Sequence, residues 1–143
     1  MRFEELQITR PAIHIALGEH IIFVGCGSTK GILIEAQKML LKEHNQKTGY
    51  LHFTHLYPMD EAIVQSFFKP DKKYILVENN SQAQLGQLLR MQTGVNIKEK
   101  LLKYDGRPFW PEEIVEYIFP KSYPKVSKGE QDMLEKLKQT MNQ

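Results

Sequence analysis

The chain has almost no cysteine. Cys26 is the only one, so it can neither form an internal disulfide nor hold an iron–sulfur cluster alone, and a reducing, cytoplasmic setting is the expectation. Charge of one sign is also lacking: 19 Lys and Arg stand against 17 Asp and Glu, a formal balance of +2. The basic residues are scattered, not gathered into a stripe with aromatics between them, which argues against a nucleic-acid partner. No apolar run approaches the length that spans a bilayer, and Arg2, Glu4 and Glu5 do not follow the pattern of a signal peptide, so a membrane is not expected either. Internal repeats are missing, which excludes solenoids and propellers.

Metal and nucleophile motifs are sparse too. His52 and His55 lie three apart on an expected strand and so point to opposite faces, while His14, His20 and His44 fall in separate segments without cysteine partners. No serine sits in a Gly-x-Ser-x-Gly elbow, and Cys26 has no evident base.

What is present is the pattern of a single α/β domain. With 143 residues and 41% hydrophobic content the chain can bury one proper core. Residues 21–24 read as a buried strand, and Gly25-Cys26-Gly27-Ser28 then leads into a helix with Ile32, Leu33, Ala36, Met39 and Leu40 on one face. Residues 50–55 form a second strand after a polar loop at 45–49. Asp60 is placed to cap a helix carrying Ile63, Val64, Phe67 and Phe68. Residues 73–77 make a third strand, and Ser81 with Gln84 reads as a capping box opening a helix with Leu85, Leu88 and Leu89 inward. Gly94 suits a left-handed C-cap, residues 101–104 supply another strand, and Pro111 opens a helix over 112–118 that Pro120 stops. This alternation demands right-handed crossovers and a mostly parallel sheet covered on both faces. Ile13, Ile15 and Leu17 alternate like a short edge strand. Ser127 with Glu130 begins a terminal amphipathic helix with Met133, Leu134, Leu137 and Met141 on its stripe, able to pack on its own domain or on another subunit, with docking in cis the favoured expectation. The implied divisions are 1–20 as an extension or edge strand, 21–120 as the domain, and 121–143 as a tail.

Three sets of residues are candidate functional groups. Ser28, Thr29 and Lys30 lie in a glycine-rich turn between strand and helix, the geometry that points amides at an anion. The spacing fits neither GxGxxG nor a P-loop, so a tight turn capped by Ser28 or Thr29 is the favoured reading. Glu78, Asn79 and Asn80 close a strand, where open α/β sheets keep ligands. Partial burial there would raise the Glu78 pKa, yet the same side chains are equally suited to satisfying backbone groups at the joint. Arg107, beside the Asp105-Gly106 turn, is able to bind a carboxylate or phosphate or to pair with Asp105, Glu112 or another subunit.

In order, Gly27-Ser28-Thr29-Lys30-Gly31 after a strand, Leu56-Tyr57-Pro58, Val77-Glu78-Asn79-Asn80 with Gln84-Leu85 and Leu88-Leu89-Arg90 behind it, and Lys103-Tyr104-Asp105-Gly106-Arg107-Pro108-Phe109 resemble one family. It is the C-terminal domain of the alpha subunit of 2-oxoacid:ferredoxin oxidoreductases, matched over about residues 21–118. The resemblance implies a transketolase C-terminal-like, three-layer α/β/α fold with a mixed, mostly parallel five-stranded sheet and one antiparallel edge strand. It implies membership of an assembly that decarboxylates a 2-oxoacid with thiamine diphosphate, passes electrons through iron–sulfur clusters to ferredoxin and releases an acyl-CoA. Thiamine diphosphate, magnesium and the clusters are expected in partner domains or subunits, none in this chain alone, with ferredoxin met only indirectly and a homodimer as one arrangement. A structural module, inactive by itself, is the expected role, and a freestanding small-anion or nucleotide-binding domain is the alternative. Trp110 departs from the family by standing where a capping Thr or Ser is usual, so a lost helix cap is expected. The family's N-terminal bulk is missing, which points to a split subunit, an excised domain or a relic.

Overall fold

Runs of Ile, Val, Leu and Tyr become strands here because both faces of the sheet are covered, so consecutive residues, not alternate ones, are apolar. The computed structural model describes residues 12–15, 19–120 and 128–141. In chain order the elements are β1 (Ala12–Ile15), β2 (Ile21–Cys26), α1 (Thr29–His44), β3 (Thr48–Phe53), α2 (Glu61–Phe67), β4 (Lys73–Glu78), α3 (Gln84–Thr93), β5 (Glu99–Leu102), α4 (Pro111–Ile118) and α5 (Lys128–Met141). The strands form one five-stranded sheet in the order β1-β3-β2-β4-β5. β1 runs antiparallel to β3 at one edge, and the other pairings are parallel.

Side-chain parity divides the core in two. Phe23, Tyr50, Ile75 and Val77 face Leu33, Ala36 and Leu40 of α1 and Ile114 and Val115 of α4. Ile22, Val24, Leu51, Phe53 and Leu76 face Val64 of α2 and Leu85 and Leu89 of α3. The chain therefore leaves β2 towards one face and β4, its hydrogen-bonded neighbour, towards the other. That reversal makes the carboxyl ends of β2 and β4 the topological switch point of the sheet.

Several local expectations hold. Asp60 caps α2 by accepting from Ile63 N at 3.0 Å, Gly94 ends α3 in the left-handed conformation at φ 75°, and the short β1 lies at an edge.

Other boundaries move. β3 begins at Thr48 inside the expected loop, because pairing with β2 reaches back to Ile21. β5 lies two residues earlier than expected, set by its register with β4. Ile63 is 40% exposed, since the two-turn α2 buries only Val64 fully. Trp110 does not leave α4 uncapped: Glu113 reaches back to accept from Trp110 N at 2.8 Å, and Lys103 holds that carboxylate at 2.7 Å. The terminal helix exists, but Met133, Leu134, Leu137 and Met141 are between 51% and 84% exposed. The expected docking of that stripe in cis is absent among the described residues; Ser127 and Leu17 lie outside them.

Candidate functional site

The β4–α3 turn carries Glu78, which is 5% exposed although it is a carboxylate. Its Oε1 accepts from Leu85 N at 2.8 Å and from Asn80 Nδ2 at 3.2 Å, and its Oε2 accepts from Gly86 N at 3.4 Å. Asn80 Oδ1 accepts from Gln84 N at 3.1 Å. These are the orphan amides of a helix N-terminus, and a carboxylate there also meets the positive end of the helix dipole. The expected Ser81–Gln84 capping box is therefore corrected: α3 starts three residues later, Ser81 is exposed, and Glu78 and Asn80 supply the cap. Ala83 pays for the geometry with a left-handed backbone at φ 50°, a conformation costing roughly 1 kcal/mol for a residue with a Cβ. Asn79, exposed, donates from Nδ2 to Arg107 O at 3.2 Å and so ties this turn to the one after β5.

The β2–α1 turn is built differently. Ser28 occupies the N-cap position but makes no capping bond, which corrects the expected Ser28 cap. Thr29, buried, donates from Oγ1 backwards to Cys26 O at 3.0 Å and so braces the strand end instead of the helix. A Cβ at Gly25 would stand 2.8 Å from that hydroxyl, so the strand must carry glycine for α1 to sit this close. Lys30 is half-buried, with its amide directed at Gly27 O at 3.4 Å.

Behind this turn lies a polar pair. Tyr50 and His52 alternate on β3, so their side chains share the α1 face, and the phenol oxygen sits 2.7 Å from His52 Nδ1. Both are buried. Burial, with Lys30 nearby, lowers the His52 pKa, and burial pushes the Tyr50 phenol up. The pair is legible in Tyr50-x-His52 as a same-face doublet, although neither residue carries a motif. Cys26, half-buried at the end of β2, has its thiol pKa raised by burial and then by Glu78, so it is held as the thiol and not as a nucleophilic thiolate.

Of the sequence candidates, Glu78 pairs with Asn80 and Asn79 with the backbone carbonyl of Arg107 through hydrogen bonds. Ser28, Thr29 and Lys30 lie across the β2–β4 boundary, linked to them through the Cys26–Glu78 proximity. The Arg107 guanidinium makes no ion pair among the described residues; Asp105 instead accepts from Arg107 N at 3.0 Å. The described residues bring together no group of three or more His, Cys, Asp or Glu side chains. No described helix is long and apolar enough to cross a membrane.

Comparison with known proteins gives a consistent set of likenesses. No protein-family model matches the chain. The alpha subunit of 2-oxoacid:ferredoxin oxidoreductase 2 from Aeropyrum pernix is 31% identical over 94 residues, 66% of this chain and 14% of that protein. The chain thus spans about one seventh of that relative. The crystal structure of the alpha chain of a probable 2-oxoacid ferredoxin oxidoreductase from Thermoplasma acidophilum is 31% identical with a TM-score of 0.52, over 76% of this chain and 93% of that one. The 2-oxoglutarate:ferredoxin oxidoreductase from Magnetococcus marinus, solved with 2-oxoglutarate, coenzyme A and succinyl-CoA bound, superposes with a TM-score of 0.68 at 26% identity, over 80% of this chain and 20% of its own. A transketolase from Pichia stipitis shares the fold at 16% identity and a TM-score of 0.57, over 76% of this chain and 17% of its own. A sheet with an antiparallel edge strand, a carboxylate-capped turn after β4 and 31% identity over 93% of the Thermoplasma chain converge: this chain belongs to the 2-oxoacid:ferredoxin oxidoreductase alpha-subunit family and has its transketolase C-terminal-like domain.

Proposed function

We propose that the chain is a structural and assembly module of a thiamine diphosphate-dependent 2-oxoacid:ferredoxin oxidoreductase, the enzyme class that converts a 2-oxoacid, CoA and oxidised ferredoxin into an acyl-CoA, CO₂ and reduced ferredoxin. The module packs against thiamine-binding domains. Thiamine diphosphate, magnesium and the iron–sulfur clusters reside in partner domains or subunits, and ferredoxin meets the module only indirectly.

The observation that carries this reading is the use of Glu78. Among the described residues it is the one buried carboxylate at the switch point, and both its oxygens are engaged by backbone amides of α3, so its accepting capacity is spent on the start of that helix. Around it the carboxyl edge presents Tyr104 and Trp110, 70% and 64% exposed, beside Arg107. Tyr, Trp and Arg are the residues enriched where proteins pack together.

The test is an assay of purified chain with thiamine diphosphate, magnesium, CoA, pyruvate or 2-oxoglutarate and an electron acceptor. No turnover is expected from the chain alone, with co-purification alongside thiamine-binding subunits that Trp110→Ala together with Arg107→Ala weakens. Turnover by the isolated chain would sink the proposal.

The unused Ser28 side chain and the half-buried Lys30 favour a second reading, a small-anion site at the strand ends drawing on residues 28–30, 78–80 and Arg107. Calorimetry against phosphate, CoA and thiamine diphosphate separates the two, since the module reading gives no strong binding without partners.

A further inference from the structure

The amino edge of the sheet, at the opposite end from the turns described above, carries a second concave surface. Residues 68–70 after α2, 72–74 at the start of β4 and 95–99 leading into β5 enclose an open groove of about 470 Å³. Its walls are fixed by the fold. Tyr74 OH accepts from Lys69 N at 2.6 Å and donates to Phe67 O at 2.9 Å. Lys73 N donates to His20 O at 2.8 Å and Lys72 Nζ to Glu19 O at 3.1 Å, which pins the turn between α2 and β4.

The groove is basic. Lys69, Lys72, Lys73 and Lys98 line it, together with a single carboxylate, Glu99, and without arginine. Glu99 is already engaged, by Lys73 at 3.4 Å and by the Tyr117 hydroxyl at 2.7 Å. Lys69 and Lys98 are exposed and make no ion pair among the described residues. Asp71 on the turn offsets part of the charge and leaves the groove net positive. Like charges held together around a concavity repel one another, and a bound anion removes that repulsion while low-dielectric walls strengthen the attraction. Lysine ammoniums act as point donors that approach a tetrahedral oxyanion from several sides, whereas a planar carboxylate is better matched by the fork of arginine, which is absent here.

We propose that this amino-edge groove is a binding site for a polyphosphate anion, with a diphosphate unit as its minimal ligand and Lys69 and Lys98 as its uncommitted cationic arms. The site is separate from the switch point and does not depend on the assembly role.

The test uses the full chain, ¹⁵N-labelled, titrated with inorganic pyrophosphate at low and at physiological salt, with sulfate as the comparison anion. Saturable shifts are expected in the amides of residues 68–74 and 95–99, weaker at higher salt and weaker still for sulfate. Lys69→Ala with Lys98→Ala, both exposed and so compatible with folding by circular dichroism, is expected to reduce affinity about tenfold or more, the loss of two charge-assisted contacts. The equally exposed pair Lys42→Ala with Lys47→Ala, in and just after the end of α1, is expected to leave binding unchanged. Three results would overturn the site: shifts that grow linearly without saturation, saturation confined to residues 27–30, or equal binding of sulfate and pyrophosphate. Preferential binding of an oligo-glutamate peptide to the same amides would overturn it too, by assigning the groove to an acidic protein segment.

Discussion

Two strand-to-helix turns meet at the switch point, and they use their polar residues in opposite ways. At the end of β4 the side chains of Glu78 and Asn80 are consumed in capping α3, taking four hydrogen bonds between them, one of which joins the two. At the end of β2, Ser28 makes no cap, Thr29 braces the strand it has just left, and Lys30 stays half-buried beside His52. Residues of similar chemistry at similar places are therefore a joint in one case and an open edge in the other. The lesson is that a polar strand end in an α/β sheet marks a site only when its side chains are left over after the helix amides are satisfied.

The sharpest way to break this contrast is Glu78→Ala. It leaves the buried Leu85 and Gly86 amides without acceptors and removes the charge at the α3 N-terminus, which is expected to cost about 3 kcal/mol in urea unfolding. A loss below about 1 kcal/mol would show that the carboxylate is not the cap that the fold depends on.

A smaller effect is expected from pH at the open turn. The folded-state pKa of His52 is lowered from 6.5 by burial and by Lys30. The unfolded chain thus takes up a proton that the folded chain resists, so stability is fully present above about pH 6.5 and is lost as pH falls through the lower, folded value. The urea midpoint is expected to drop on going from about pH 7.5 to about pH 5.5, and His52→Asn is expected to flatten that dependence. An unchanged slope in the variant would assign the acid sensitivity to other groups.

The smallest expected change is the most discriminating. Ser28→Ala should alter stability by less than about 0.5 kcal/mol, although it sits at an N-cap position, while Asn80→Ala should cost about 1 kcal/mol. Equal losses at the two positions would erase the distinction between joint and open edge.

Much of the fold was legible in the chain. The buried runs of β2, β3 and β4, the Asp60 cap and the Gly94 and Pro111 punctuation follow from local chemistry, and local chemistry is what short sequence windows record. The errors cluster where partners are distant. β5 shifted by two residues because ladder register with β4 sets it, and β3 reached back to Thr48 because β2 was there to pair with it. Trp110 kept its cap because Glu113, three residues on, was already oriented by Lys103. Tyr50 and His52 were readable as a same-face pair, but their burial depended on α1 packing over them, with Gly25 making room.

The sequence by itself determined the α/β class, the order of strands and helices, and the placing of Ser28, Thr29, Lys30, Glu78, Asn79, Asn80 and Arg107 at strand ends. Those outcomes depend on periodicity and turn residues acting over a few positions. Only the tertiary structure decided which of these side chains are spent and which are free. Glu78 finds its acceptors' partners seven and eight residues away, on a helix whose start it fixes. Hydrogen-bond satisfaction is an accounting over neighbours in space, and a linear chain does not list its neighbours.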